Sequence, residues 1–499
     1  MRSVRIARLV VAPVRYNPVT NQITVYNNIK VKVNFENADV AKSEEMESAK
    51  ASPFFEVAYD KLVNHRSDPD DYPDHPDLTN YPIKYLVVSD PMFEETLQPF
   101  IEWKTQQGFT MEVAYTDEIG DSYDDVQTWV HDQYNNSDVT PSFLLLVGDI
   151  DQIPMEMGSS SGKYTDLYYG SVDGDMFPRC ITDVFLLRTV DQLQPMIDKT
   201  LYYEKYEFTD PSYLDNVTLI AGADGTWNPR FGQPTVQYGT ENYFNEANGY
   251  STVNDYLTSY NGCYETVDEG VGFINYTAHC NQGSWGDPQL TISEVYDFEN
   301  EGMYPLAVGN CCLSHDIGYS SECIGEAWMR KENGGAVAYI GSAPNTYWFE
   351  DFYWAVGAFP IQGNNNGYVP TTEETTMGVY DAMFMSAYET VDSKIFVGNL
   401  AVTEVDIQGY PQHSSPLYYW QAYMCGGDPS LMLYNTQGEE NEVSHMDIVP
   451  IGMDTYEVTA NPVSYVGISK DGVLHGAALV DETGVVEVPI EPIRKWWSC

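Results

Sequence analysis

The chain has 499 residues, which is more than one ordinary hydrophobic core accommodates, so we expect about two to four domains. Its 74 acidic and 24 basic side chains give a net charge of −50, which argues against nucleic acids and anionic membranes as main partners. The aromatic content of 14% and the many short runs of Val, Ile and Thr are typical of a strand-rich globular protein, not of a disordered acidic one.

No apolar run approaches the roughly 18 residues that span a bilayer, so no membrane span is expected. The opening "MRSVRIARLVVAPVRYNP" is interrupted by Arg8 and is followed by no small-residue cleavage site. We interpret it as an internal strand and the sequence as a fragment. The eight cysteines form no CxxC pair and no zinc-finger spacing, so a structural zinc is not expected, whereas disulfides stay possible and unassigned.

The first segment, residues 1–66, begins with alternating apolar and polar residues on both sides of the turn "NPVTNQ". This pattern predicts a β-hairpin at the end of a β-sandwich. An amphipathic stretch, "SPFFEVAYDKLVNHR", then precedes the Asp/Pro-rich "SDPDDYPDHPDLTNYP". We expect that stretch to be an exposed linker with a cleavable bond after Arg66.

Two α/β units follow, at residues 67–205 and 206–435. The first alternates strands such as "KYLVVSD" and "SFLLLVGD" with helical patterns, and the second has the strands "NVTLIAGAD", "GVGFINYTAH", "YPLAVGNCC" and "GAVAYIGSAP". Strand–helix repetition with apolar strands predicts parallel sheets covered on both faces. Residues 436–499 return to strands and turns, which predicts an immunoglobulin-like β-sandwich, expected to be truncated.

Polar residues follow the strands of the second unit, where ligands of open α/β sheets bind. They are Asp224, His279, Cys312 and the segment "PNTYWFED". A thiol and an imidazole at the ends of neighbouring strands reach hydrogen-bond distance, and the imidazole then favours the thiolate and protonates the leaving amine. Asp224 is suited to orient the ring of His279. The pattern predicts cysteine-protease chemistry.

Each of these residues also has a purely structural interpretation. A strand-end cysteine is usually a small buried apolar residue, a single histidine is often a loop residue, and the Asp of "ADG" suits a turn. The occurrence of all three at successive strand ends favours an enzyme.

Four stretches are similar to the gingipains, which are caspase-like cysteine endopeptidases, and most closely to their lysine-specific member. They are "NYTAHCNQGSWGDPQLT", "LAVGNCCLSHDI", "CIGEAWMRKENGGAVAYIGSAPNTYWFEDFYWAVGA" and "LIAGADGTWNPRFGQPTVQYGTENYFN". The resemblance covers nearly the whole chain. It implies a caspase-like α/β catalytic domain of two subdomains between the end of a propeptide and an immunoglobulin-like domain. It also implies a zymogen that is inhibited by its own propeptide, matured after Arg66, and found outside the cell or at its surface.

The resemblance implies that Cys312 is the nucleophile, that His279 is the base and acid, and that Asp224 orients His279. The backbone N–H groups of Cys312 and Cys280 would form the oxyanion hole. Relatives normally have Gly where this chain has Cys280, so we expect strain of about 1 kcal/mol there if φ is positive, and a redox-sensitive thiol beside the site. Cys311 is expected to pack into the sheet, so Cys311→Ala should leave hydrolysis largely intact.

A lysine or arginine side chain needs an acid at the floor of its pocket and aromatic walls for its methylenes. The resemblance implies that Asp351 receives the substrate ammonium and that Tyr347, Trp348, Trp227 and Thr277 line the pocket. Arginine specificity is the close alternative, because an acid also pairs with a guanidinium. Otherwise, the aromatic residues belong to the core and Asp351 to a solvated turn.

A structural calcium ion is also implied by the resemblance. Asp149, Asp173, Asp175 and the main-chain carbonyl of Phe177 offer the hard oxygen ligands that Ca²⁺ prefers, although Asp-Gly-Asp is more often a turn. Arg179 stands where a carboxylate would close the shell of ligands. Any metal would be structural, because the nucleophile is a thiolate.

Three functions therefore compete. The first is a secreted endopeptidase that cleaves proteins and peptides after Lys, and the second is an arginine-specific or broader peptidase of the same family. The third is an inactive binding or adhesin-like homologue that keeps the fold.

Overall fold

A computed structural model describes residues 2, 9, 11–34, 36, 39–59, 82–257, 263–385, 390–438 and 440–490. Arg66 and the linker around it lie outside this part of the chain. Within the described residues, no helix combines the length and the apolar character that crossing a bilayer requires.

The strands are short, and their bounds follow in chain order: β1 Val14–Asn17, β2 Gln22–Val25, β3 Lys84–Ser89, β4 Thr110–Tyr115, β5 Phe143–Val147, β6 Glu156–Met157, β7 Tyr164–Thr165, β8 Ile181–Phe185, β9 Asn216–Ile220, β10 Thr252–Tyr256, β11 Phe273–Thr277, β12 Cys280–Asn281, β13 Ser284–Gly286, β14 Gln289–Thr291, β15 Leu306–Asn310, β16 Ala338–Ser342, β17 Tyr423–Gly426, β18 Ser444–His445, β19 Thr455–Thr459, β20 Tyr465–Lys470, β21 Val473–Leu479 and β22 Val485–Pro489.

The helices lie mostly between the strands of the two α/β units: α1 Val40–Lys50, α2 Glu94–Gln106, α3 Thr116–Ile119, α4 Tyr123–Asn136, α5 Leu167–Gly170, α6 Val190–Glu204, α7 Gln233–Asn242, α8 Cys263–Asp268, α9 Ile292–Tyr296, α10 Ile324–Arg330, α11 Trp348–Val356, α12 Val379–Ala382, α13 Val391–Gln408 and α14 Pro416–Trp420.

One ten-stranded sheet forms the centre of the molecule, in the order β10-β9-β11-β15-β16-β17-β8-β5-β3-β4. Its pairs are parallel except β16 with β17, which run antiparallel. The two predicted parallel units are therefore the two halves of a continuous sheet, and their strands run in opposite directions. The α/β class is confirmed. The domain boundaries at residues 66, 205 and 435 stay predictions, and β17 lies by sequence in the second unit but runs parallel to the strands of the first.

Burial on both faces explains why the strands of this sheet are continuously apolar. Every residue of β5, β11, β15 and β16 is buried. Strands covered by helices on both sides have no solvated face, and so they lack the alternation of half-buried strands. β9, β11 and β15 are neighbours in the sheet and run parallel, so their carboxyl ends lie at the same edge of the sheet.

The N-terminal segment contacts the first α/β unit through aromatic side chains. β1 and β2 pair as the predicted hairpin, and Asn17 lies opposite Gln22 across the turn. Farther along, Phe54 and Phe55 are buried in the same cluster as Phe143. The ring centroids of Phe54 and Phe143 are 4.6 Å apart. Removing this segment would therefore expose apolar surface of the first half of the sheet.

The C-terminal strands form a small β unit, and the immunoglobulin-like sandwich expected there stays a prediction. β18, β19 and β22 make one sheet, and β20 pairs with β21. This unit contacts the end of α2, where Tyr465 donates its hydroxyl proton to the carbonyl of Gly108 at 2.8 Å. Gly108 has φ +98°, and a Cβ there would lie 3.0 Å from the Tyr465 ring, so the position requires glycine.

Candidate active site

The sheet brings His279 and Cys312 together through the register of two parallel strands. β11 and β15 pair from Phe273 opposite Leu306 to Thr277 opposite Asn310. His279 and Cys312 each lie two residues beyond the last pair, and so they occupy corresponding positions at the carboxyl ends of adjacent strands. Both side chains line one cavity of about 270 Å³.

Asp224 contacts the ring of His279 from the loop that follows the neighbouring strand, β9. His279 Nε2 and Asp224 Oδ2 are 3.0 Å apart. The other carboxylate oxygen accepts the N–H groups of Thr226 and Trp227, both at 2.7 Å. Burial opposes ionisation of Asp224, but these hydrogen bonds outweigh it and lower the pKa of the carboxyl group. The aspartate is thus an anionic partner for Nε2, which leaves Nδ1 as the ring atom for chemistry.

The Cys312 thiol is half-buried and contacts the segment after β16. The N–H of Thr346 approaches Sγ at 3.3 Å, and the carbonyl of Thr346 lies 3.6 Å from it. Burial raises the pKa of the thiol, while the N–H of Thr346 acts in the opposite direction. The thiol therefore needs a base for activation, and His279 in the same cavity is the candidate.

A disulfide joins Cys280 to Cys311, with their Cα atoms 5.5 Å apart. Cys311 is fully buried, as expected of a residue that packs into the sheet, and it is also the covalent partner of Cys280, a pairing that the sequence left unassigned. Cys280 is no free thiol, and it does not belong to the described residues that have positive φ. The backbone of Cys280 is extended within β12, so the strain that a positive φ would have caused there does not arise.

The cavity contains most of the residues predicted to bind the substrate side chain. Asp351 lies in its lining together with Trp227, Tyr347 and Trp348. Thr277 is buried outside this lining, and its hydroxyl oxygen accepts a hydrogen bond from Asn275 at 2.9 Å. The structure thus gathers the acid and the aromatic residues around one cavity, whereas Thr277 does not line it.

Asp351 is held by three hydroxyl groups. Thr346 donates to Oδ2 at 2.6 Å, and Tyr419 and Tyr423 donate to Oδ1 at 2.9 and 3.1 Å. Burial raises the pKa of Asp351 to about 7, although the hydroxyl donors act in the opposite direction. A cationic side chain entering the cavity would restore the charge of this acid by pairing with it.

Two features of the site escaped sequence analysis. Thr346 contacts both the nucleophile and the acid, and His413 lies parallel to Tyr347 with ring centroids 5.9 Å apart. The backbone N–H of Ser414 donates to the buried Glu350 at 2.6 Å, which fixes the loop that bears His413. Thr346 belongs to the quoted "PNTYWFED", but nothing in that segment distinguishes it from a turn residue.

The residues predicted to bind calcium contact arginines. The Arg179 guanidinium donates to Asp173 Oδ2 at 2.8 Å, to Asp175 Oδ2 at 2.7 Å and to the carbonyl of Phe177 at 2.6 Å. Asp149 accepts from Arg188 at 2.5 Å. No group of three or more metal-binding His, Cys, Asp or Glu side chains occurs among the described residues. As placed, these residues do not fit a calcium ion, because a cationic side chain already occupies the space between three of them.

Comparisons with known proteins identify the family of this chain. The model of peptidase family C25 matches residues 78–434, and the model of the C25 propeptide matches residues 1–68. Lys-gingipain W83 of Porphyromonas gingivalis is 44% identical over 495 residues, which are 98% of this chain and 28% of that protein. Gingipain R2 of the same species is 25% identical over 507 residues, covering 97% of this chain and 63% of the relative.

Solved structures have the same architecture. One protease structure has a TM-score of 0.81 at 43% identity, covering 86% of this chain and 95% of its own. The complex of the P. gingivalis RgpB pro- and mature domains has a TM-score of 0.70 at 21% identity, covering 82% and 94%, and supports the fold alone. The chain spans only 28% of the length of Lys-gingipain W83. The C25 family model nevertheless matches more than half of this chain. The chain belongs to peptidase family C25.

Proposed function

We propose that this protein is a cysteine endopeptidase that cleaves proteins and peptides after lysine. The observation that carries the proposal is the cavity in which the Cys312 thiol, His279 and the buried acid Asp351 lie together between aromatic side chains. Membership of family C25 and the 44% identity to Lys-gingipain W83 support it.

In the proposed reaction, His279 Nδ1 accepts the thiol proton of Cys312, and the thiolate attacks the carbonyl carbon of the lysyl bond. Asp224 keeps the ring oriented through Nε2 and stabilises the imidazolium. His279 then protonates the leaving amine, and a water molecule hydrolyses the thioester. Each step needs only side chains that line this cavity or contact its histidine.

The oxyanion hole of this proposal uses the N–H groups of Cys312 and Cys280. Gly286 N–H donates to the carbonyl of His279 at 2.8 Å, and Cys280 lies opposite Trp285 in the next pair of the ribbon. Because hydrogen-bonded and non-hydrogen-bonded pairs alternate in antiparallel ribbons, the N–H of Cys280 points away from β13. The N–H of Cys280 therefore takes no part in the pairing of β12 with β13 and can donate to an oxyanion.

Lysine preference follows from the way Asp351 is held. Its two carboxylate oxygens already accept three hydroxyl donors between them. An ammonium is a compact charge that needs only one accessible oxygen, whereas a guanidinium pairs best when both oxygens of one edge are free. Trp227, Tyr347 and Trp348 offer apolar surface to the lysine methylenes. Arginine specificity is the second candidate, supported by the presence of an acid in the pocket.

An active-site thiol titration distinguishes the three functions. A lysine-directed irreversible reagent should label Cys312 stoichiometrically and should fail on Cys312→Ala. Labelling by arginine-directed reagents alone would favour the second function. Absence of labelling by either reagent in folded protein would favour an inactive binding homologue.

The N-terminal segment is proposed to be an inhibitory propeptide, released by cleavage after Arg66. The match of residues 1–68 to the C25 propeptide supports this assignment. A secreted or cell-surface location is proposed from the family likeness.

A calcium ion has only that likeness in its favour. Three of the residues expected to bind it contact Arg179 instead. We therefore assign the positive charge at this place to the Arg179 guanidinium, and no step of the proposed reaction depends on calcium.

A further inference from the structure

We propose that the Cys280–Cys311 disulfide is a positioning element that fixes His279 relative to Cys312, so that full activity needs this disulfide oxidised while Cys312 stays reduced. The inference rests on the proposed function, because it takes His279 and Cys312 as the reacting pair. Each half-cystine is the direct sequence neighbour of one member of that pair.

The bond lies where the two strands stop pairing. β11 and β15 are in register up to Thr277 and Asn310, and the chains beyond are no longer joined by their ladder. The Cα atoms of Cys280 and Cys311 are 5.5 Å apart, which is close to the spacing of about 4.8 Å between paired strands. The disulfide therefore keeps the two segments near the spacing of paired strands, directly beside His279 and Cys312.

Other contacts hold His279 within its own hairpin. Its carbonyl accepts from the Tyr276 hydroxyl at 2.9 Å and from the Gly286 N–H at 2.8 Å. Its side chain is 61% exposed, bonds to Asp224, and meets the Trp348 ring edge-on with centroids 5.5 Å apart. These contacts set the direction of the ring. The disulfide adds a covalent link between the hairpin and the strand of the nucleophile.

The turn of the hairpin has a second link to the segment that follows Cys312. The Gln282 carbonyl accepts the N–H of Ile324 at 2.7 Å. We therefore expect loss of the disulfide to loosen the distance between His279 and Cys312 without unfolding the hairpin. A displacement of about 1 Å between reacting groups costs up to about a hundredfold in rate.

Full activity then requires Cys311 to be oxidised, in its disulfide, and the adjacent Cys312 to be reduced. Reduction by a dithiol breaks the Cys280–Cys311 bond and gives two thiols, while the dithiol gives up two electrons and two protons and closes to its own disulfide. Cys280 is partly exposed, so a reductant reaches the bond from that side. An ordinary thiol peptidase only gains activity from a reductant, whereas this one should gain with a mild monothiol and lose with excess dithiothreitol.

The test compares the full chain with Cys280→Ser, Cys311→Ser, the double variant, and the control Cys180→Ser, which replaces a buried thiol in the first half of the sheet. Activity is normalised to the fraction of Cys312 that iodoacetamide alkylates, which peptide mass mapping distinguishes from alkylation of Cys280 and Cys311. In the double variant, we expect kcat to fall about tenfold or more, with KM changed less than about twofold, because Asp351 and Tyr347 are attached to neither half-cystine. Dithiothreitol should lower kcat in the parent and in the control, but not further in the double variant.

A second readout needs no substrate. The rate of Cys312 alkylation is measured as a function of pH. In the double variant and in the reduced parent, the midpoint of this profile should shift to higher pH, because the thiolate loses its imidazolium partner. Should the variants fail to fold, the parent is reduced and reoxidised in place, with disulfide content measured by mass and folding by circular dichroism, and kcat should fall and return.

Unchanged kcat and an unchanged alkylation profile after complete reduction would overturn the positioning role, and so would a rise in KM at constant kcat. Persistent hydrolysis by Cys312→Ala would instead overturn the proposed function itself. The two failures are therefore distinguishable.

Discussion

The hydroxyl of Thr346 donates a hydrogen bond of 2.6 Å to Oδ2 of Asp351, so the acid of the pocket is tied to the residue that contacts the nucleophile. The N–H of the same threonine approaches Cys312 Sγ at 3.3 Å. In the proposed function, one residue, Thr346, therefore contacts both the acid that binds the substrate side chain and the thiol that attacks the peptide bond. Burial raises the pKa of Asp351, and the Thr346 hydroxyl opposes this shift and thereby favours the charged form of the acid.

Replacing Thr346 by Val should raise the pKa of Asp351, because one of the three donors that favour its ionised form is lost. We expect kcat/KM for a lysyl peptide at pH 7 to fall about tenfold, and the deficit to shrink toward pH 9. Thr346→Ser keeps the hydroxyl and serves as the control. An equal loss at every pH would contradict this role of the hydroxyl.

The Asp351→Asn variant should lose the charge that binds the substrate ammonium. We expect kcat/KM for lysyl substrates to fall at least about thirtyfold, since pairing of a buried charge is worth about 2 kcal/mol or more. The thermal midpoint should not fall, because the amide oxygen still accepts from the two tyrosine hydroxyls, the amide NH2 donates to the Thr346 hydroxyl oxygen, and no buried charge remains. Peptide hydrolysis and calorimetry are the measurements, and an unchanged lysine preference would refute the pocket assignment.

Activity should depend on pH through Asp351, whose pKa burial raises to about 7. Below this value the free enzyme holds a neutral carboxyl group, so kcat/KM for lysyl peptides should rise as pH increases through 7. The Asp351→Asn variant should lack the part of the rise that is due to Asp351. This comparison separates titration of Asp351 from titration of Cys312 and His279.

The same raised pKa affects stability with the opposite sign. Between about pH 4 and 7 the folded chain keeps a proton on Asp351 that the unfolded chain has lost. The unfolding free energy of the parent, relative to Asp351→Asn, should therefore fall as pH rises across this window. Denaturant titrations at pH 5 and 7.5 measure it, and a constant difference would show that the carboxyl does not titrate there.

Arg179 should make the protein insensitive to calcium at its Asp173–Asp175 loop. We expect the thermal midpoint of the parent to be unchanged by millimolar calcium or by a chelator. Arg179→Glu should be less stable by about 1–3 kcal/mol without calcium and should recover with it, because the guanidinium is replaced by a further carboxylate. Arg188→Glu, which changes the partner of Asp149, is the matched control for added negative charge. Calcium stabilisation of the parent that Arg179→Glu does not alter would contradict this interpretation.

The Arg66→Ala variant should mature more slowly, because it lacks the basic residue at the proposed cleavage point. Gel electrophoresis and N-terminal sequencing of the product follow the conversion. Arg15→Ala, at an exposed residue of β1, controls for a general effect on the N-terminal segment. Normal processing of Arg66→Ala would exclude this cleavage point.

The amino-acid sequence alone determined the local elements and the chemistry they carry. Apolar runs such as "FLLLV" and "LAVGN" predicted buried parallel strands, and Asp224, His279 and Cys312 each followed a strand of this kind within a few residues. These are short-range patterns, because the burial of a strand and the residue at its end are both visible within about ten positions.

Tertiary structure alone decided how distant segments pair. The antiparallel pairing of β16 and β17 joins two halves of a sheet whose strands are far apart in sequence. The Cys280–Cys311 bond and the contacts of Arg179 depend on side-chain positions that no local period encodes. A cysteine at an expected glycine position and an arginine at an expected ligand position signalled a departure from the family pattern. Only the folded chain shows which groups they bind, because bonding depends on distance in space and not on distance along the sequence.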